Sequence, residues 1–336
     1  MNILISTINR CTYSIYLFKD ALGDTGKVFV SNSIMTSSLL KADGYVLSPL
    51  ILDSTYIDFL ISYCLNNNIT AIFSSTEIDL LVLTKNKELF QKHGITVVLS
   101  DESTIQLCND KWKCFQLLLS AGLKQPKTYI DVNLLKQDLL SGTVSFPLIF
   151  KPRWGEGSIG LFQVDSLEEV DIIYQKILHK IFTSILKHES EQDKDFCIIM
   201  QEKLTGQEYG LDVFNDLQGN YVTTIPKTKT KMKEGETIIS RVDSNVPFEH
   251  VGKVIAQNLK HIGNIGVDCF LTESGDVVVI EINPRFAAHY PFAHLAGANF
   301  PKQIVEWLSG NPTSEEYISY KTGTKGYKDI SQVVRF

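Results

Sequence analysis

Short apolar runs and longer stretches of wider apolar period alternate through the first hundred residues. NILIS (2–6), KVFVSN (27–32), GYVLSP (44–49), ITAIFSS (69–75) and ITVVLS (95–100) are β-branched and bounded by turn residues, as strands are. Between them, residues 12–22, 54–66 and 77–93 carry helical patterns. Strand and helix in alternation predict a parallel sheet with helices on both faces, the doubly wound α/β arrangement, over residues 1–105. Ligands of such sheets sit outside the carboxyl ends of the strands. The polar segments Ser6–Arg10 and Ser74–Glu77 are therefore expected to line a crevice, with Arg10 a candidate substrate contact.

The pattern changes after Asp101. Asn109-Asp110 opens a helix, DKWKCFQLLLSAG, that Gly122 is placed to end. A strand near 127–131, a polar helix near 132–141 and the strand FPLIFK (146–151) follow. A glycine-rich turn leads to GLFQV (160–164), and Asp165-Ser166 caps the next helix. HESEQDKD (188–195) reads as a charged loop. DFCIIMQEKL (195–204) and EYGLDVF (208–214) read as strands around a connector, and 221–242 as a hairpin turning at Glu234-Gly235. A helix at 247–262 precedes the strands GVDCFL (266–271) and VVVIEINPR (277–285); the tail from 287 holds one helix, 300–309, among polar segments.

Composition narrows the class. The 336 residues, 44% hydrophobic and 21% charged, describe an ordinary globular enzyme of more than one domain. A net charge of −6 without a basic stripe argues against a nucleic-acid partner. No run approaches the ~20 apolar residues of a membrane span, and the N-terminus lacks the basic start and apolar stretch of a signal peptide. The cysteines, at 11, 64, 108, 114, 197 and 269, are scattered without a CxxC pair, which predicts buried free thiols in a reducing, cytoplasmic compartment.

Candidate chemistry concentrates where VVVIEINPR turns polar. Alternate strand residues share a face, so Glu281, Asn283 and Arg285 are expected to point together, with Asp268 of the neighbouring run supplying a second carboxylate. Such a set suits Mg²⁺ carrying a polyphosphate, because Mg²⁺ takes one or two carboxylates beside phosphate oxygens. GEGSIG (155–160) matches GxGxxG formally, yet a strand follows it where a dinucleotide fold needs a helix. Gly155, Gly157 and Ser158 are read instead as a mobile flap between antiparallel strands, its amides covering phosphates next to the cations Lys151 and Arg153. No GxxxxGK[ST] occurs, which excludes a P-loop. Lysines 227, 229, 231 and 233 alternate and are expected to share one strand face, either as a solvated edge or, for one or two of them, at the phosphates.

Taken in order, Lys111, Lys151, the glycine flap, QEKLTGQEYG, Asp268 and Glu281-x-Asn283-x-Arg285 resemble the ATP-grasp superfamily, and within it the carbamoyl-phosphate synthase large-subunit halves. The resemblance implies a two-lobed α+β ATP-grasp domain over 106–325, with a small lobe at about 120–205 and a large lobe at about 206–325, preceded by the α/β unit. It implies ATP and Mg²⁺ as cofactors. Lys111 would hold the nucleotide phosphates and Lys151 the α-phosphate and adenine edge. Gln201, Glu202, Lys203 and Leu204 would read adenine, and Glu208 would grip the ribose. Asp268, Glu281 and Asn283 would ligate magnesium. Arg285 would contact the transferred phosphate, with Lys231 and Arg241 as further catalytic candidates. Where related chains have glycines after the NPR segment, this one has Ala287-Ala288-His289-Tyr290, so His289 and Tyr290 are candidate substrate contacts; a packed histidine is the competing reading.

The implied activity is an ATP-dependent carboxylate–amine (or thiol) ligase that works through an acyl phosphate on small-molecule substrates, and a homodimer is left open. The alternatives are a nucleotide-binding sensor or assembly module, and carbamate or carboxyphosphate chemistry.

Overall fold

The computed structural model describes residues 1–8, 12–155, 159–233 and 235–329. In the first unit, β1 (Asn2–Ser6), β2 (Val28–Asn32), β3 (Gly44–Leu47), β4 (Ile69–Ser74) and β5 (Thr96–Val97) form a parallel sheet in the order β3-β2-β1-β4-β5. Helices α1 (Thr12–Leu22), α2 (Tyr56–Asn66), α3 (Glu77–Lys85) and α4 (Lys87–Lys92) connect the strands. Ile3 and Ile5 pack with Ile15 and Phe18 of α1, while Leu4 packs with Tyr56, Leu60 and Leu80 of α2 and α3. Both faces of β1 are thus covered, which is why it reads as a continuous apolar run. The doubly wound arrangement is as expected.

The helix expected over 77–93 is two helices. Asn86 bonds back to the Val82 carbonyl through Nδ2 at 2.8 Å, and its own carbonyl receives the Leu89 and Phe90 amides that start α4. A short amide side chain competes with the helical ladder in this way. At the expected crevice, Ser6 Oγ, Ser74 Oγ and Tyr56 OH donate to the fully buried Asp79 at 2.5, 2.6 and 2.8 Å. Burial pushes the Asp79 carboxyl up against these three donors. Two of the hydroxyls expected to face a ligand therefore serve the fold, and Arg10 lies outside the described residues.

In the second unit, α5 (Glu102–Asn109) has too few apolar positions to be read from pattern. Then α6 (Lys111–Ser120) starts at Asp110, whose carboxylate accepts the Trp112 and Lys113 amides. Strands β6 (Thr128–Tyr129), β7 (Leu148–Pro152), β8 (Phe162–Val164) and β9 (Ile198–Glu202) form a small antiparallel sheet ordered β6-β9-β7-β8. Helices α7 (Val132–Leu140), α8 (Leu167–Phe182) and α9 (Lys187–Ser190) accompany it, the last overlapping the start of the segment read as a charged loop. β7 and β8 are antiparallel, as the rejection of a dinucleotide fold requires.

The large sheet comprises β10 (Gln207–Asn215), β11 (Tyr221–Lys233), β12 (Glu236–Val242), β13 (Gly263–Leu271), β14 (Val277–Asn283) and β15 (Lys325–Tyr327), in the order β14-β13-β10-β11-β12-β15. Helix α10 (Phe248–Leu259) precedes β13, while α11 (Tyr290–Leu295), α12 (Phe300–Leu308) and α13 (Glu315–Ile318) follow β14. The three residues of β15 close the sheet edge beside Ile239–Arg241, a pairing too short to read from sequence. Burial is not partitioned between the units. One core joins Ile3, Ile5 and Phe18 to Phe214, Ile225, Tyr290 and Phe300, and Phe214 stacks on Phe300 at 3.9 Å. The five described cysteines are free and buried, as expected.

His261 sits at the foot of the large sheet with no exposure, Nε2 3.1 Å from the Val213 carbonyl. Burial depresses its pKa from 6.5 to about 4. The unfolded chain therefore binds a proton between these values that the folded chain does not, and stability falls as pH drops from 6.5 toward 4. The full effect is roughly 3 kcal/mol. Urea unfolding across this range should show the loss, and His261→Gln should flatten it; an unchanged slope in the variant would contradict the assignment.

Candidate nucleotide and metal site

The metal candidates meet across two strands. Asp268 on β13 and Glu281 on β14 are register partners, and Asn283 lies farther along β14 opposite Gly266. Lys111, first residue of α6, places Nζ 3.6 Å from Glu281 Oε1 and donates to the Gly155 carbonyl at 2.5 Å, tying the glycine segment to the strand end. Lys151 lies toward the end of β7 and is buried. Burial pushes the Lys151 ammonium down while Glu281 draws it back. Burial likewise opposes the charge of Glu281, yet Lys111, Lys151 and Arg285 together hold its carboxyl below the usual range. On the adjoining strands, Lys229 pairs with Glu208 at 2.7 Å and with Asp268 Oδ1 at 2.8 Å. Burial works against Lys229 as well, but Asp268 and Glu208 outweigh it and raise its pKa.

This donor set fits magnesium. It offers two carboxylates and an amide oxygen, and Asp268 Oδ1 is buried without a well-aligned hydrogen bond. Among the described residues no three His, Cys, Asp or Glu side chains form a ready-made metal cage. Mg²⁺, completed by phosphate oxygens and water, needs none, whereas a structural zinc centre would.

Around the connector, Gln201 is buried and its Nε2 donates to Thr128 Oγ1 at 2.9 Å. The Glu202 and Lys203 amides donate to the Lys127 and Pro147 carbonyls. The exposed Lys203 side chain bonds Gln163 at 2.7 Å, and Leu204 is half-buried. A cavity of about 10 Å³ joins Gln201 to Lys111, Glu281 and Cys114.

Several expectations need correction. The four alternating lysines do not share a face. The β11–β12 register slips between Lys229 and Lys231, and beyond that bulge Lys231 and Lys233 are exposed. Lys229, and not Lys231, stands beside the carboxylates. Arg241 pairs in register with Thr228, so it lies on the opposite face from Lys227 and Lys229 and forms an ion pair with Asp243 at 2.6 Å. Arg285 follows the end of β14, where its amide turns back to the Asn283 carbonyl, yet its Nη2 still donates to Asn283 Oδ1 at 3.4 Å, so the three side chains do meet although the strand itself ends at Asn283. Its guanidinium meets Glu77 of the first unit at 2.8 Å. Arg153 grips Asp110 through Nε and Nη2 at 2.6 and 2.7 Å and Asp193 at 2.8 Å, so its charge pins α6 to β7. Gly157 and Ser158, the middle of the expected flap, lie outside the described residues.

The residues after the NPR segment separate into two kinds. Tyr290 is fully buried and its hydroxyl joins the Ala298 carbonyl to the Phe300 amide, both at 2.9 Å, so it is a core residue and no substrate contact. His289 is 4% exposed, with Nδ1 3.8 Å from Asp212 and Nε2 3.7 Å from Asp268, and neither nitrogen has a hydrogen-bond partner. Burial, reinforced by Lys227 and Lys229, keeps its ring neutral. The strands make room for this segment. A Cβ on Gly210 would stand 2.4 Å from the His289 ring, and one on Gly266 would stand 2.3 Å from Ala287 Cβ. Side chains after the NPR segment are thus matched by glycines beneath them.

Sequence reasoning missed Asp212, and it placed Glu77 at the crevice without its partner Arg285. Asp212 was readable, because it continues the two-residue period of Glu208 and Gly210. The pairing of Glu77 with Arg285 was not, since nothing local relates residues 208 positions apart.

Fold and site define an ATP-grasp architecture behind an α/β unit, and comparison with known proteins agrees. A PylC-like N-terminal domain model matches residues 3–98, and an ATP-grasp domain model matches residues 108–289. The chain belongs to the ATP-grasp family. It is 21% identical over 214 residues to the carbamoyl phosphate synthase arginine-specific large chain of Bacillus subtilis, covering 61% of this chain and 19% of that one. It therefore spans about a fifth of the length of that relative. The biotin carboxylase domain dimer of Hydrogenobacter thermophilus 2-oxoglutarate carboxylase, solved with MgADP and bicarbonate, superposes with a TM-score of 0.74 at 14% identity, covering 95% of this chain and 72% of that one. An L-amino acid ligase from Bacillus licheniformis gives 0.72 at 19% identity, with coverage of 98% and 81%. Among the described residues no helix is long and apolar enough to cross a membrane.

Proposed function

We propose that this chain is an ATP- and Mg²⁺-dependent ligase that activates a small carboxylate as an acyl phosphate and passes the acyl group to an amine or thiol, with ADP and phosphate as products. The observation that carries the reading is the convergence of Lys111, Lys151, Lys229, Glu208, Asp268, Glu281 and Asn283 around one strand end. Lys111 and Lys151 would neutralise the polyphosphate, and Glu208 would take the ribose hydroxyls. Asp268, Glu281 and Asn283 would hold Mg²⁺, which supplies charge neutralisation between phosphate oxygens. Arg285 and Lys229 would stabilise charge on the transferred phosphoryl group. Such chemistry asks the protein chiefly for positioning and exclusion of water, since an acyl phosphate left open would hydrolyse.

Bicarbonate is the second reading for the acid, supported by likeness to the biotin carboxylase domain solved with that anion. The two are separated by incubating the protein with MgATP, hydroxylamine and single acids from a panel of amino acids, small carboxylates and bicarbonate. An acyl hydroxamate formed with phosphate release identifies an organic acid; release stimulated by bicarbonate alone identifies carboxyphosphate chemistry. Binding of MgATP without either, under every acid, would leave only a nucleotide-binding module and refute the ligase.

A further inference from the structure

We propose that Glu77 is a built-in competitor for the oxyanion that Arg285 binds, and that this competition makes Arg285 favour a phosphoryl group over a simple carboxylate. The inference rests on the ligase reading above. Glu77 occupies the first turn of α3, just beyond β4, and its Oε1 alone meets Arg285, 3.0 Å from Nε and 2.8 Å from Nη2. That edge of a guanidinium is one that fits two oxygens of a carboxylate or phosphate at once. Glu77 supplies one oxygen to both donors, and Nη2 also makes a long bond, 3.4 Å, to Asn283 Oδ1.

Its other oxygen, Oε2, is buried without a hydrogen-bond partner. Among the described residues only Asp268 Oδ1 shares that condition for a carboxylate, and Asp268 has the Lys229 ammonium 2.8 Å away. The Glu77 carboxylate is therefore under-satisfied in this pair and open to exchange. A carboxylate entering from solution offers the charge and oxygens that Glu77 already supplies, so the exchange gains it little. A phosphoryl group brings nearly twice the charge and three acceptor oxygens, enough to take two guanidinium donors side by side. Once displaced, Glu77 remains at a helix N-terminus, where the backbone dipole favours its charge. Alongside runs a cavity of about 40 Å³ between the units, lined by Ser74, Ser75, Pro284, Arg285 and Phe286.

The test titrates inorganic phosphate and acetate, at matched ionic strength, into the full chain loaded with MgADP, reading heat and melting temperature. The parent should bind phosphate and show no response to acetate. Glu77→Gln should bind phosphate about ten-fold more tightly, and acetate binding should appear. Glu77→Ala should behave alike, which guards against a residual amide contact, and Arg285→Lys should lose phosphate binding. Phosphate affinity unchanged or weakened in both Glu77 variants would overturn the proposal, making Glu77 a strut that holds Arg285 in place. Phosphate binding that survives Arg285→Lys would overturn it too, because the anion would then sit elsewhere. A parent chain that takes up no MgADP refutes the ligase reading itself, and this is seen before any anion is added.

Discussion

Glu281→Gln should abolish turnover while leaving the fold intact. Glu281 is the point where the site's charges meet: Asp268 faces it across the strands, Lys111 lies 3.6 Å away, and Lys111, Lys151 and Arg285 keep it ionised against burial. Glutamine preserves the shape and removes the charge. A bound Mg²⁺ would then lose one of two carboxylates, and Lys111 and the buried Lys151 would lose their counter-charge in the absence of nucleotide. Losing a metal's charge stabilisation in the transition state costs several kcal/mol, and about 4 kcal/mol corresponds to roughly a thousand-fold in rate. The check is phosphate release at saturating Mg²⁺ and ATP, with circular dichroism showing the parent's fold. A variant that turns over as fast as the parent would remove Glu281 from the metal site and with it the reading of the strand end.

What could be read from sequence followed how local the determining physics is. The parallel sheet was legible because strands buried on both faces are continuous apolar runs, as in β1 and β4. The pairing of Asp268 with Glu281 was legible because Glu281 ends the apolar run VVVI and Asp268 interrupts the apolar run GVDCFL just upstream, and neighbouring strands share a register. The glycine segment could be assigned to a hairpin because LFQV continues as strand. Effects between distant segments were not legible. Period two put Lys231 and Lys233 beside Lys229, and only the pairing with β12 reveals the bulge that ends the alternation. The same pairing sends Arg241 to the opposite face. The grip of Glu77 on Arg285 depends on how the first unit packs on the second, which no local pattern records. Tyr290 looked like a substrate contact because of its neighbours in sequence, while its hydroxyl is in fact satisfied by two backbone groups of the core.

Breaking the ion pair beneath the site should cost more stability than any surface change. Lys227 and Asp212 are both without exposure, and the Lys227 ammonium donates to the Asp212 carboxylate and, at 2.9 Å, to the Ile225 carbonyl. Asn264 donates to the other Asp212 oxygen at 3.0 Å. Burial drives the carboxyl up and the ammonium down, each toward its neutral form, and the partner's charge opposes this in both. Removing one partner strands the other's charge in the sheet, so Asp212→Leu and Lys227→Met should each destabilise by about 3–5 kcal/mol. The double variant strands no charge and should cost no more than either single change. Urea unfolding of the four proteins closes this cycle. Costs that simply add would show that the two residues act independently. If Lys227→Met kept full stability yet lost turnover, Lys227 would belong with Lys229 among the residues facing phosphate, and the floor of the site would have to be reassigned.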